Sequence, residues 1–283
     1  KATGYGGYAR PCEHVTVTNC TLSSRSGAVF VGGRAAEDIR HVHVSNCTIR
    51  DSNRGLAVRS FGPGAVEHVH FDGISIETRL FEGNWWGQAE PVYVAAHPHA
   101  PDVTCGGVND LRISNVTATA EQGAVLFADG GATLSNVVFD GLALRVVAGE
   151  NTETVGGNFD VRWIRDRERP DHDGHLPNIY AHDVPGLYAC GVDEMSLQNV
   201  TVEWADDLPE FFSHALSIEQ FAEHGLKLEP TYTGKAAAAF LDALGETNGP
   251  VLFWNTYNSR DTTELEEKAD PTQLSAPLRG LLE

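Results

Sequence analysis

The stretch at residues 14–22 (HVTVTNCTL) returns almost unchanged at 41–49 (HVHVSNCTI), and weaker copies follow at 111–118, 134–142 and 195–202. Behind each of the first two copies comes a second short apolar run led by glycine, at 27–32 and 55–60. The runs at 91–96 and 123–128 continue that series. A repeat of roughly 30 residues, built from two or three short strands and tight turns, is the signature of a solenoid. Each copy contacts only its neighbours, so the core is expected to be one quasi-linear column. The expected class is all-β, with residues 1–224 forming the solenoid and 225–283 a further coil or cap with a charged tail. Within that tail, residues 234–245 (GKAAAAFLDALG) suit a short C-terminal capping helix, since Ala and Leu favour one.

Alternation supports strands over residues 14–147: Val15 and Val17, Val42 and Val44, and Val29 and Val31 each alternate with other residues. Asn19, Asn46, Asn115 and Asn199 share one repeat slot, each followed two positions later by Thr. These are formal glycosylation sequons. The expectation here is instead a ladder of stacked side-chain amides that satisfies the turns. Cys20 and Cys47 occupy one slot and are expected to stack inside the coil as small apolar residues; a disulfide between them is the alternative. The five cysteines show no metal spacing and no Cys-x-x-Cys. No metal or cofactor is therefore expected.

The formal charge is −19, and of 20 basic residues only Lys1, Lys227, Lys235 and Lys268 are lysines. Such usage fits adaptation to high salt, where screening makes self-repulsion tolerable; an ordinary acidic secreted protein is the blander reading. The charge argues against sequence-independent binding of nucleic acid. No apolar run reaches the ~18 residues of a membrane span. The chain opens on Lys1 without a methionine or a signal peptide, as expected of a piece of a longer secreted protein.

Residues 11–33 (PCEHVTVTNCTLSSRSGAVFVGG) followed by 42–64 (VHVSNCTIRDSNRGLAVRSFGPG) resemble the central part of the polygalacturonase-like glycoside hydrolases, family 28. The likeness spans roughly residues 10–147 and, more loosely, 156–219. It implies a right-handed parallel β-helix that hydrolyses an acidic, pectin-like polysaccharide outside the cell. The Asn-Thr-Asp and Gly-Asp-Asp motifs that supply carboxylates in that family are not in this chain and are expected upstream of Lys1. The family's Gly-His-Gly motif aligns with Arg25-Ser26-Gly27, which puts Ser26 where the histidine belongs. Its Arg-Ile-Lys motif aligns with Ala57-Val58-Arg59, so Arg59 keeps the cation. The segments WWGQAEP (85–91) and GGNFD (156–160) resemble a diverged bacterial and archaeal branch of the family.

Strand phasing gives the candidate site. Ser26, Arg54, Glu90 and Gln122 each precede a matching strand by one residue, so stacked coils would align them in one column about 4.8 Å apart. Arg54 would then neighbour Glu90, either as a cleft-floor pair that holds substrate or as a surface ion pair worth little. Arg59 and Tyr93 fall on outward positions, where a guanidinium can bind a uronate carboxylate bidentately. Arg25 is taken as a further cleft residue. Trp85 and Trp86 lie in a loop that lengthens one repeat, and tryptophan offers a broad rigid face to sugar rings; folding back to plug the coil is the alternative. Glu77 and Glu90 bracket that loop and are the best internal carboxylate pair. Glycoside hydrolysis needs two such groups, about 6.5–9.5 Å apart for inversion and about 5–5.5 Å for retention. Asp160 is expected to line the cleft. The Asp171–His175 run reads as a solvated loop rather than a metal site, and Asp206-Asp207 stands on a different coil.

Three functions follow as expectations. The first is hydrolysis of an acidic polysaccharide, with Glu90 and Glu77 catalytic. The second is carbohydrate binding without cleavage. The third is a polysaccharide lyase, which needs Ca²⁺ or a strong base beside the uronate and ranks lower.

Overall fold

The computed structural model describes residues 10–83, 86–100, 102–160, 179–219 and 226–228. In chain order the strands are β1 (Cys12–Thr18), β2 (Thr21–Leu22), β3 (Gly27–Gly33), β4 (Ile39–Ser45), β5 (Thr48–Ser52), β6 (Arg54–Ser60), β7 (Val66–Thr78), β8 (Val92–Ala96) and β9 (Val108–Ala120). They continue as β10 (Ala124–Ala128), β11 (Leu134–Val146), a one-turn helix α1 (Thr152–Val155), β12 (Asn158–Asp160), β13 (Ile179–Ala181), β14 (Leu187–Cys190), β15 (Met195–Trp204), β16 (Leu216–Glu219) and β17 (Leu226–Leu228). Among the described residues, nine strands make one sheet, ordered β1-β4-β7-β9-β11-β15-β17 with β5 also beside β7 and β2 beside β5. Six make a second, ordered β16-β14-β10-β8-β6-β3. Neighbours within both are parallel. The chain visits one sheet, crosses to the other and returns one rung higher, which is a parallel β-helix. β17 continues the coil past residue 224 by pairing with β15. The proposed capping helix at 234–245 lies outside the described residues.

The core is the column that alternation implies. Val42 and Val44 stack on Val69 and Phe71, then on Leu111 and Ile113, then on Val137 and Phe139. From the second sheet come Leu56, Val58, Val92, Val94, Leu126 and Leu187, all buried. Each such side chain is worth roughly 1.5–3 kcal/mol when fully buried. Cys47 is buried among them and Cys20 packs against them, both as free thiols. Gly55 leads its strand because the next rung passes too close for a side chain: a Cβ there would meet the Pro91 carbonyl at 2.4 Å.

The corner of each coil has a fixed backbone requirement. The shared slot continues through Asn19, Asn46, Gly73, Asn115, Gly141 and Asn199. All six are left-handed, with φ between 51° and 84°. Asn and Gly are the residues that enter this region at least cost. The expected amide ladder is therefore broken: glycines occupy two rungs, and the amides of Asn115 and Asn199 donate instead to Asp72 and Asp140 at 2.8 and 3.2 Å. Five residues earlier a second left-handed column runs through His14, His41, His68, Asp110 and Asn136. Its three imidazoles stack at 4.9 Å.

Two insertions lie against the second sheet. One joins β7 to β8; the other contains α1 and β12. Glu121 ties them together. Its carboxylate accepts the Leu80 N–H at 3.0 Å and the Thr152 hydroxyl at 3.2 Å.

Two predictions follow from the corners and the tie. Asn46→Gly should be nearly neutral, whereas Asn46→Val should cost about 1–2 kcal/mol because the left-handed slot penalises a β-branched residue. Urea unfolding of both variants checks this, and equal stabilities would remove the corner argument. Burial raises the Glu121 carboxyl above its ordinary 4.5, against the opposing hydrogen bonds from Leu80 and Thr152. The folded state thus binds this proton more tightly than the unfolded one. The group's stabilising share is full below pH 4.5 and is lost as pH rises through the lifted value. Glu121→Gln should flatten that part of the curve of melting temperature against pH.

Candidate functional site

The outer face of the second sheet carries the site. Residues that alternate with the core point outward there: Phe30 on β3, Ala57 and Arg59 on β6, Tyr93 and Ala95 on β8, Val125 and Phe127 on β10, and Tyr188 and Cys190 on β14. Tyr93, Ala95, Val125, Phe127, Tyr188 and Cys190 form a second apolar cluster with Phe61 and with Phe159 of β12. The middle of this sheet is thus covered on both sides, which is why β6, β8, β10 and β14 are buried along their whole length.

Arg54 and Glu90 stand opposite each other, as phasing predicts, with Gln122 next in the column. The first member is Gly27, not Ser26, because β3 is set one residue away from the glycine-to-glycine alignment and Val29 faces Leu56. The Arg54–Glu90 pair is not on the surface. Their side chains are 0% and 1% exposed, with Arg54 Nε donating to Glu90 Oε2 at 2.9 Å and its terminal nitrogen to Oε1 at 2.5 Å. The same nitrogen lies 3.5 Å from the Asp160 carboxylate. Burial alone would lower the Arg54 pKa; Glu90, by charge and hydrogen bond, with Asp160 behind it, more than reverses this and holds it above the ordinary value.

Tyr93 fills the space between two arginines. Its ring lies 3.6 Å from the Arg54 guanidinium carbon and 5.1 Å from that of Arg59. Desolvation pushes its phenol up to about 12, although both arginines oppose the rise. At 1% exposure it is a wall beneath the site rather than a surface that substrate touches.

Arg59 is only 8% exposed. Besides Tyr93, its guanidinium carbon lies 5.1 Å from Phe30, 5.6 Å from Phe61 and 6.0 Å from Trp86. Among the described residues its Nε has no hydrogen-bond partner, and no carboxylate forms an ion pair with it. Burial, then the like charge of Arg54, pushes its pKa down to about 10, so it stays a cation at neutral pH. A cavity of about 280 Å³ opens beside it, lined by Ser26, Phe30, Gly33, Arg34, Phe61 and Trp86. Among the described residues Phe30 and Trp86, at 45% and 36%, are the exposed large hydrophobic ones, and both stand at this cavity.

The remaining candidates separate. Glu77 is exposed on β7 and lines a different groove with Thr48, Arg50, Ser75 and Thr119. It shares no site with Glu90, whose oxygens are both taken by Arg54. The pair therefore lacks the facing arrangement that hydrolysis requires. Arg25 is exposed, with its guanidinium carbon 5.5 Å from the Phe81 ring, and it does not line the cavity. Asp160 is 2% exposed and is committed to the loop and to Arg54. Trp85 and the 171–175 run lie outside the described residues. Asp207 sits in a left-handed turn after β15, away from these elements. Phe30, Arg34 and Phe61 are site residues that pattern reasoning missed. The available signal was Phe30, a large aromatic at an outward position of a glycine-flanked strand.

Glu90→Gln leaves Arg54 buried without its counter-ion, and breaking such a pair typically costs about 3–5 kcal/mol. Denaturant unfolding should show that loss; an unchanged midpoint would free Glu90 for chemistry. Comparison of the chain with protein-family models, curated proteins and solved structures finds no match.

Proposed function

We propose that this chain is a polygalacturonase-like β-helix acting outside the cell on an acidic, pectin-like polysaccharide, and that its described residues recognise the uronate rather than break the glycosidic bond. The observation that carries this reading is Arg59: a buried cation, walled by four aromatic rings, beside an open cavity. A buried charge without a counter-ion is costly. A carboxylate on the ligand supplies one and gains two parallel hydrogen bonds in return. Trp86 and Phe30 at the rim offer flat faces to the apolar side of the sugar ring. Ser26 and Arg34 add polar groups to the lining. The cavity stands just below the usual range of ligand pockets, roughly 300–1,000 Å³, which suits one ring of a longer chain. Arg59 is also the position that the family resemblance assigns to a cation.

A second reading draws on the same residue. In β-elimination the Arg59 cation would pair with the uronate carboxylate and make the C5 proton more acidic. A separate base would take that proton as the C4–oxygen bond breaks, leaving a C4–C5 double bond, and water would protonate the leaving oxygen.

Calorimetry with oligogalacturonates in molar NaCl tests the first reading. Wild type should bind them, neutral oligosaccharides should not compete, and Arg59→Gln should weaken binding at least about tenfold, as loss of a charge-assisted hydrogen bond does. Indifference to Arg59→Gln would remove the proposed site. Reducing ends without ultraviolet absorbance would mean hydrolysis, and absorbing products would mean elimination. Binding with neither would leave recognition as the function.

A further inference from the structure

We infer that Asp160 is a positioning residue: it reaches from β12 to the loop between β7 and β8 and sets Trp86 at the mouth of the Arg59 cavity. The inference rests on the proposed reading of that cavity as the binding site. Its geometric half does not.

The backbone after Trp86 is pinned residue by residue. The Gly87 carbonyl accepts from Asn53 Nδ2 at 3.2 Å, and the Ala89 N–H donates to Asn53 Oδ1 at 3.0 Å. The Gln88 N–H donates to Glu90 Oε2 at 2.8 Å, and the Thr78 hydroxyl donates to the Ala89 carbonyl at 2.7 Å. These partners belong to the coil or to the loop itself. The Gly87 N–H is held from elsewhere: it donates to Asp160 Oδ2 at 2.7 Å, and both groups are buried. Gly87 has φ +129°, and a Cβ there would stand 3.3 Å from both Arg54 Cβ and Glu90 Oε2. The backbone is thus pressed against the ion pair, with its N–H aimed at Asp160. Trp86 is the next residue, and its ring lines the cavity.

Asp160 has a second duty. Its carboxylate and its carbonyl oxygen each lie 3.5 Å from the Arg54 terminal nitrogen. It therefore fastens the strap carrying Phe159 to the same arginine that Glu90 holds. One carboxylate thus touches strap, loop and ion pair, and the tryptophan face depends on the contact it makes to the Gly87 N–H.

Acrylamide quenching isolates Trp86 as the difference between each protein and its Trp86→Phe counterpart. Trp86 is already partly exposed in the wild type, and Asp160→Ala should raise its quenching above that level. Asp160→Glu, which keeps the charge near Arg54 but adds a methylene, should do so too. Asp160→Asn keeps an acceptor for the Gly87 N–H and should leave quenching at the wild-type level. Oligogalacturonate binding should fall about tenfold in Asp160→Ala, with little further loss when Trp86→Ala is added, since coupled residues are not additive. Wild-type quenching in both Asp160→Ala and Asp160→Glu would overturn the inference, as would additive losses in the double variant. If Asp160→Ala does not fold, the Glu and Asn variants still decide it. Raised quenching in Asp160→Ala and Asp160→Glu, together with a wild type that binds no oligogalacturonate, would sink the functional reading and leave the positioning role standing.

Discussion

The left-handed corner is the constraint on which the rest of the molecule stacks. A parallel β-helix must turn its backbone at the same place on every rung, or the sheets lose register and each side chain changes face. Here the corner lies in a region of backbone space that costs an ordinary residue about 1–2 kcal/mol. Asn and Gly meet that requirement from Asn19 to Asn199. With the corner fixed, valines, leucines and isoleucines of successive rungs fall on one another. The outward positions fall in line for the same reason. Arg59, Tyr93 and Phe30 share one face because the corners beneath them match.

The site arises where the repeat is interrupted. A regular rung leaves its outer face to solvent, and charged residues there pair loosely, as Arg145 and Glu203 do at 3.6 Å with more than half of each side chain exposed. The two insertions change that environment over the second sheet. They carry Gly87, Glu90 and Asp160 onto the face, exclude water from Arg54 and leave Arg59 at an opening beside Trp86. The same guanidinium chemistry that would be incidental on an open strand becomes directional once it is desolvated.

Much of the fold was legible because it is periodic. The repeated NCT turn located the corner, the alternation located the core, and the column arithmetic put Arg54 beside Glu90. The register slipped by one at Ser26, because glycine was matched to glycine while the backbone matched Val29 to Leu56. Burial was not legible: nothing local distinguishes an Arg–Glu pair in water from one under a loop contributed by residues far along the chain. Glu77 and Glu90 bracket the same insertion, yet one points to solvent and the other inward. The GGNFD segment suggests Asp160 as a cleft residue, whereas its contact to the loop is to a backbone N–H, and backbone donors leave no trace in a sequence pattern.

Arg54, Arg59, Glu90 and Asp160 carry two positive and two negative charges within one buried cluster, and Arg34 lines the same cavity, so the local charge is small beside that of the chain. The chain around it carries −19. An acidic ligand therefore meets repulsion until it is within reach of Arg59, and attraction only at contact. Salt shortens the repulsive range from about 10 Å at 0.1 M to about 3 Å at 1 M, while the buried guanidinium is screened far less. If the ligand is the proposed polyanion, such a surface should admit it faster in brine than in fresh water, the reverse of the ordinary salt effect on oppositely charged partners.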